Sequence, residues 1–125
     1  MFKSIDDLYE QAHALHISIH KCTVDIIDDP KTSKDDLIKA VIMGIEQFVK
    51  NCESTNQDDL DIMEFSIIHS IEHCTIDLLN NHQVTKRELR VAIYVGIDYW
   101  IKREEITINS ERKVISKEIC GGKTK

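Results

Sequence analysis

Glycine and proline are scarce in this sequence, with four glycines and one proline among 125 residues. This scarcity excludes collagen-like and low-complexity chains, and a hydrophobic content of 42% excludes a chain disordered throughout. No apolar run approaches the roughly 18 residues that a membrane-spanning helix needs, so we expect no membrane association. The first residues are acidic where a secretion signal would be apolar, so we expect a cytoplasmic protein.

Clustered positive charge and paired cysteines are also missing. The net charge is −6, and the body of the chain has no group of Lys and Arg that could neutralise phosphates, so we expect no direct nucleic-acid binding. The four cysteines, at positions 22, 52, 74 and 120, form no CxxC pair. Without a secretion signal they are expected to be free thiols.

The strongest pattern present is an internal repeat with a period of 52 residues. Residues 6–50 align with residues 58–102 without a gap, and 14 of the 45 paired positions are identical. Such self-similarity predicts two copies of one supersecondary unit, and we call two positions 52 residues apart equivalent. The identical pairs include Ile19/Ile71, Cys22/Cys74, Asp25/Asp77, Lys34/Lys86 and Gly44/Gly96.

Each copy has the pattern of a helical hairpin. Apolar residues recur every three or four positions, as in amphipathic helices, and polar breaks occur at residues 28–32 and 80–84. Ser33 with Asp36, and Thr85 with Glu88, have the spacing of a capping box, which marks a helix start. We therefore predict helices near residues 5–28, 34–51, 57–80 and 86–103.

One amphipathic hairpin cannot cover its own apolar stripe, so the two copies are expected to pack together. The predicted fold is all-α: a tandem repeat of two helical hairpins that form a pseudo-two-fold four-helix bundle. The bundle would be a single domain over residues 1–103, with repeat one at 4–51 and repeat two at 56–103. Residues 104–125 would form a basic C-terminal tail or a short fifth helix.

In both copies, the apolar residues that recur every three or four positions form one seam, which is expected to face the core. The second copy has additional apolar residues outside this seam. This surplus would receive the C-terminal tail or form a subunit interface, which would allow a homodimer. Its members are Phe65, Ile68, Val91, Tyr94, Val95, Tyr99 and Ile101.

The histidines are the candidates for metal binding. His13, His16 and His20 are spaced i, i+3 and i+7 along one side of a helix, and His69 and His73 are four residues apart. The two sets do not occupy equivalent positions, which argues against a metal centre inherited by both copies. We favour surface or half-buried histidines and expect no cofactor.

Other matched residues have a simpler structural interpretation. Cys22 and Cys74 fall in the predicted seam, where a free thiol behaves as a small apolar group. Gly44 and Gly96 indicate a close approach of two helices in each copy.

The matched aspartates have two interpretations. Asp25 and Asp77 would form ion pairs with Lys34 and Lys86 across the turns, or would present one carboxylate each to a partner. The predicted partner-binding residues are Asp25, Asp77, Tyr94, Tyr99 and Trp100.

A family resemblance points in the same direction. The segment from Val84 to Asp98, and its equivalent from Thr32 to Glu46, resembles the second helix of small enterobacterial connector proteins of the YmgB/AriR type. The similarity lies in a brief polar turn and a capped helix that ends in an aliphatic–acidic pair. Members of that family are implicated in biofilm and acid-stress regulation and bind other proteins as dimers of hairpins. The resemblance implies a binding function.

We predict a non-enzymatic regulator or inhibitor that binds another protein through an acidic and apolar helical surface. No nucleophile–base set, glycine-rich phosphate loop or HExxH motif is present in the sequence. One alternative is a metal-binding bundle that uses the histidines above. Another is an acidic inhibitor that mimics nucleic acid, since acidic residues cluster at 28–36 and 58–64, although helix starts favour acidic residues in any case.

Overall fold

The computed structural model describes residues 2–52 and 56–124, with the side chains of residues 2–52 and 56–111. Over these residues it contains four helices and no strand: α1 (Ile5–Ile27), α2 (Lys34–Lys50), α3 (Gln57–Leu79) and α4 (Lys86–Thr124). The prediction of an all-α helical bundle is confirmed. In the described part of the chain, none of the helices is long and apolar enough to cross a membrane.

Capping boxes start α2 and α4 where the sequence predicts them. Ser33 Oγ accepts a hydrogen bond from the Asp36 amide at 3.2 Å, and the Asp36 carboxylate accepts one from the Ser33 amide at 2.8 Å. Thr85 and Glu88 make the same exchange at 3.2 and 3.4 Å. The hydrogen bonds from Ser33 hold the pKa of Asp36 below its ordinary value, because they favour the charged carboxylate.

The helices form two hairpins that pack against each other. The first hairpin is α1 with α2, and the second hairpin is α3 with α4. Because α1 also contacts α4 and α2 contacts α3, each helix lies between two neighbours around one shared core. The largest fully buried side chains include Trp100, Leu8, Leu15, Ile19, Leu37, Ile45, Ile67, Leu89, Ile93 and Ile97.

Two glycines allow the helices of each hairpin to approach closely. A Cβ atom placed on Gly44 would lie 2.8 Å from Ile19 Cα, and one placed on Gly96 would lie 2.8 Å from Ile71 Cα. Both distances are shorter than side-chain atoms tolerate, and the obstructing atoms belong to the backbone. Only glycine fits at these two positions, as the close approach predicted from the sequence requires.

The seam near the end of α1 and α3 lies one residue beyond its predicted place. Thr23 and Thr75 are buried there, whereas Cys22 and Cys74 are half-buried. Each threonine hydroxyl donates to the carbonyl four residues earlier, at 2.8 Å in α1 and 2.9 Å in α3. This bond satisfies the hydroxyl inside the core, so a polar residue takes the place that the apolar pattern assigns to cysteine.

Three of the four cysteines are free thiols, namely Cys22, Cys52 and Cys74. The side chain of Cys120 lies outside the described residues. Burial raises the pKa of the Cys52 thiol, and the nearby carboxylate of Asp7 raises it further.

The predicted end of the fourth helix near residue 103 is wrong. α4 continues without a break to Thr124, so residues 104–124 form neither a loose tail nor a separate fifth helix. No glycine or proline lies between Gly96 and Gly121, so no residue forces a break. The first turns of the extension contact the bundle, because the Tyr9 hydroxyl of α1 donates to the Glu105 carboxylate and Ile108 is buried. Residue 125, the last of the predicted tail, lies outside the described residues.

Candidate functional site

The residues predicted to bind a partner occupy different environments. Asp25 and Asp77 are exposed, Tyr99 is about half exposed, and Tyr94 is partly buried. Trp100 is only 1% exposed, and its indole lies in the core with the ring of Phe2 edge-on at 5.8 Å. A partner cannot reach Trp100, so this residue is removed from the predicted surface.

The ion pairs predicted for Asp25 and Asp77 are absent from the described residues. The salt bridge found there joins Arg87 to Asp28 at 2.5 Å, between two exposed side chains. An exposed pair of this kind contributes less than about 1 kcal/mol. The carboxylates of Asp25 and Asp77 therefore remain at the surface, and their predicted role toward a partner stays a prediction.

The two matched lysines cross to the opposite hairpin. Lys34 Nζ donates to the carbonyl of Leu78 at 3.1 Å, and Lys86 Nζ donates to the carbonyl of Ile26 at 2.9 Å and to Thr32 Oγ1 at 2.7 Å. Each ammonium group also reaches a carbonyl in the turn that follows. The last carbonyls of a helix lack intrahelical partners and carry partial negative charge. The carbonyls of Ile26 and Leu78 accept bonds from the turns that follow them, and each lysine adds a charged donor from the other hairpin.

The histidine stripe of α1 does not converge on a metal site. His13 and His20 are exposed, whereas His16 is half-buried and its ring lies 5.2 Å from that of Tyr94. In the side chains that the structure describes, no three His, Cys, Asp or Glu residues are grouped to hold a metal ion. Burial lowers the pKa of His16, with a smaller contribution from His13, while the carboxylate of Asp98 opposes the shift.

The side of α3 that faces away from the core carries exposed apolar residues. We define the α3 outer stripe as Ile62, Phe65, His69, Glu72 and Ile76, which follow one another at alternating steps of three and four. Ile62 is 59% exposed, Phe65 70% and Ile76 63%. The His69 imidazole stacks on the Phe65 ring at 5.9 Å, so the centre of the stripe is an exposed pair of rings.

An apolar row on α4 lies beside this stripe. His73 of α3 stacks with Tyr99 of α4 at 6.3 Å, and the Arg103 guanidinium lies over the Tyr99 ring at 5.8 Å. Among the α4 side chains that the structure describes, the exposed large apolar residues are Val91, Val95, Tyr99 and Ile106. We call the α3 outer stripe together with Val91, Val95 and Tyr99 the second-hairpin face.

Four of the seven residues in the predicted apolar surplus belong to this face. Phe65, Val91, Val95 and Tyr99 are exposed, whereas Ile68 and Tyr94 are half-buried and Ile101 is in the core. Sequence reasoning missed Ile62 and Ile76. Ile62 could have been found from the repeat, because its equivalent in the first copy is a glutamate.

The equivalent surface of the first hairpin is more polar. The positions equivalent to Ile62 and Phe65 carry Glu10 and His13. On the second helix of the hairpin, Lys39 takes the place of Val91. These positions are exposed in both hairpins, so core packing does not account for the apolar residues of the second.

A groove of about 350 Å³ opens between α2 and α3 beside the outer stripe. Glu72 is the only charged residue among the described residues that line it. Glu72 and Ile76 belong to both the groove and the stripe. The groove and the second-hairpin face are therefore continuous. Lining residues include Ile38 and Ile42 of α2 and Ile68, Glu72, Ile76 and Leu79 of α3.

The equivalent space between α1 and α4 contains two rings. Tyr94 is equivalent to Ile42, and His16 is equivalent to Ile68. The two rings lie 5.2 Å apart, whereas the two smaller isoleucines leave a groove open. A space of this kind can thus accept an aromatic ring.

A group of exposed apolar side chains with a few polar residues among them is typical of a surface that docks onto another protein. Its polar groups, His69 and Glu72, lie at the centre of the stripe and can fix the register of a bound partner. No known family model, curated protein or solved structure matches the chain.

Proposed function

We propose that the protein is a small, cytoplasmic, non-enzymatic regulator or inhibitor. It acts by binding another protein through its second-hairpin face. The observation that carries the proposal is the contrast between equivalent positions of the two hairpins. Phe65 is 70% exposed where the first hairpin has His13, and Val91 is 61% exposed where it has Lys39. Large apolar side chains that the core does not need favour a role outside the core.

The chemistry of the face fits a protein partner. Burying exposed apolar surface contributes roughly 25 cal/mol per Å², and aromatic side chains are enriched at the centre of interfaces. Phe65 and Tyr99 supply two such rings, and Arg103 lies over the second.

Duplication of one hairpin would explain how the contrast arose. After duplication, one copy would keep a polar outer face while the other gained apolar residues there. The lysine contacts and the close glycine approaches, which recur at equivalent positions, support this origin. The resemblance of residues 84–98 to YmgB/AriR-type proteins also favours a binding function.

A pair of matched variants tests the proposal. F65K places a lysine in the second hairpin, and H13K places one at the equivalent position of the first hairpin. Both positions are exposed. Tagged protein is used to capture partners from a lysate of the native host, followed by quantitative mass spectrometry. We expect wild type and H13K to retain one specific partner. F65K should capture at least ten-fold less of that partner, which corresponds to a loss of about 1.4 kcal/mol of binding energy.

Two results would overturn the proposal. One is capture that F65K leaves unchanged, because the face would then not be the binding surface. The other is a wild-type protein that neither self-associates nor retains any partner.

A further inference from the structure

We infer that the second-hairpin face binds a second copy of this chain, with the two α3 helices antiparallel and Phe65 of each copy packed into the α2–α3 groove of the other. This inference rests on one part of the proposed function, that the second-hairpin face is a protein-binding surface, and names a second copy as the protein that it binds. It follows from the order of residues along α3, from the groove beside them and from the comparison with α1.

Along the outer face of α3, apolar and polar residues follow one another in the same order from either end of the helix. We call this row of residues the ladder. Leu79, which is half-buried against the core, extends the outer stripe to six positions at alternating steps of three and four. This is the spacing of residues along a helix–helix seam. Both ends of the ladder are apolar and its centre is polar. From the N-terminal end its members are Ile62, Phe65, His69, Glu72, Ile76 and Leu79.

An antiparallel copy meets this ladder in reverse order, so the first position faces the last. Ile62 then faces Leu79 of the second copy, and Phe65 faces Ile76 of the second copy. In a two-fold dimer each of these contacts occurs twice. Every outer layer of the interface pairs an apolar side chain with an apolar side chain.

The two central layers of the interface each pair a histidine with a glutamate. His69 faces Glu72 of the second copy, and an imidazole N–H donates to the carboxylate. A parallel arrangement would instead place Glu72 against Glu72, which repels. The two central positions therefore specify the antiparallel orientation, and neither carboxylate is buried without a partner.

The α2–α3 groove accepts the aromatic ring. Ile76 and Leu79, which the ladder places opposite Phe65 and Ile62, both line the groove. Phe65 is the most exposed of the large apolar side chains in the described residues and therefore has the most surface to bury. At the equivalent space between α1 and α4, the ring of Tyr94 already occupies the gap that Ile42 leaves open.

The outer face of α1 does not pair well with the α1 face of an antiparallel second copy. The equivalent ladder is Glu10, His13, Ile17, His20, Val24 and Ile27. In reverse order it pairs Glu10 with Ile27, His13 with Val24 and Ile17 with His20. Each layer sets a polar side chain against an apolar one, so the self-complementary order of α3 is absent from α1.

Sedimentation velocity over a concentration series from micromolar to about 0.5 mM tests the dimer with the full chain. Ile76 is 63% exposed and its equivalent Val24 is 48% exposed, so I76K and V24K are matched substitutions at surface positions. We expect wild type and V24K to dimerise with the same dissociation constant and I76K to weaken dimerisation at least ten-fold. Circular dichroism checks that each variant keeps its helices.

A charge exchange tests the register and the orientation. H69E sets a carboxylate against Glu72 in both central layers, and we expect it to weaken the dimer at least ten-fold. The double variant H69E/E72K again pairs opposite charges across an antiparallel interface, and we expect it to restore the dimer to within about three-fold of wild type. In a parallel interface it would not, because like charges would still face each other.

Three outcomes would overturn the inference. A wild-type chain that stays monomeric throughout the series excludes the dimer, while F65K-sensitive capture of a different protein would still support the proposed function. Equal weakening by I76K and V24K excludes α3 as the interface. Failure of H69E/E72K to restore a dimer that H69E disrupts excludes the antiparallel register.

Discussion

Lys86 donates a hydrogen bond to the backbone carbonyl of Ile26, 2.9 Å away at the C-terminal end of α1 in the other hairpin. Lys34 makes the equivalent bond to Leu78 at the end of α3, at 3.1 Å. The two lysines thus join the hairpins at the end of the bundle that holds both turns. Both side chains are partly buried, so solvent weakens these charge-assisted bonds less than it would on an open surface.

Removing either lysine should loosen this end of the bundle. K34M and K86M keep an apolar side chain of similar length but remove the charged donor from the helix-end carbonyls. The carbonyls of Ile26 and Leu78 then keep only neutral donors from the turn that follows each helix. We expect each to lower the free energy of unfolding by about 1.5–3 kcal/mol, the range for hydrogen bonds to charged groups. Urea unfolding followed by circular dichroism measures the change. The control is K39M, at an exposed position of α2. A loss in K86M no larger than that in K39M would show that the contacts contribute nothing.

Replacing Gly44 or Gly96 with alanine should destabilise the protein even though alanine favours helix. The new Cβ would lie 2.8 Å from a backbone Cα of the facing helix, so the helices must move apart. Overpacking of this kind costs about 1–3 kcal/mol, which outweighs a gain in helix propensity of about 1 kcal/mol. Thermal and urea unfolding of G44A and G96A measure the balance.

The exposed α1 position 14 provides the reference for helix propensity. A14G should cost about 1 kcal/mol from propensity alone, with no change in packing. If G44A and G96A instead gain stability by the amount that A14G loses, the close approach of the helices has no energetic weight.

The positions of the helices were predictable because their signals are local. The capping boxes at Ser33 and Thr85 and the apolar spacing of α1 to α3 place the helix bounds within one residue of the structure. The end of α4 was predicted wrongly because the helix was ended where the repeat ends. Residues 97–120 contain no glycine or proline that would stop a helix near residue 103, so α4 continues to Thr124.

The arrangement of the candidate surface depends on tertiary packing. Lys34 and Lys86 were visible as a matched pair, but their acceptors lie in the opposite hairpin, so a search for partners along the chain led to Asp25 and Asp77 instead. The α2–α3 groove results from the sizes of side chains on two different helices.

The origin of the two halves by duplication stays a prediction from the sequence.

His16 should make the stability depend on pH. Burial lowers its pKa in the folded protein, so the unfolded chain takes up the proton first as the pH falls. The stability contributed by neutral His16 is fully present above the unfolded pKa of about 6.5 and is lost progressively as the pH falls toward the folded value. We expect the free energy of unfolding to decrease from pH 7.5 to pH 5.

The variant H16I separates this effect from the other histidines. It introduces the residue found at the equivalent position 68 and removes the titrating group, so its stability should fall less steeply over the same pH range. Urea unfolding at several pH values gives the two slopes. Parallel slopes for wild type and H16I would mean that His16 is not the group responsible.

Filling the α2–α3 groove from within should stabilise the monomer and abolish the dimer together. I42F gives α2 the ring that Tyr94 supplies at the equivalent place, without a hydroxyl that would need a partner. Cavity filling commonly raises the free energy of unfolding by about 0.5–2 kcal/mol. The same ring would occupy the space into which Phe65 of a second copy packs.

Unfolding and sedimentation velocity on the same I42F sample distinguish the two effects. M43F is the control, because Met43 is the neighbouring residue of α2 and its side chain is exposed. M43F should change neither quantity. If I42F raises stability but dimerises as tightly as wild type, the groove is not where Phe65 binds, and the ladder on α3 would have to hold two copies together without it. Loss of the dimer in a stabilised I42F protein cannot come from unfolding, so it would assign the groove directly to the interface.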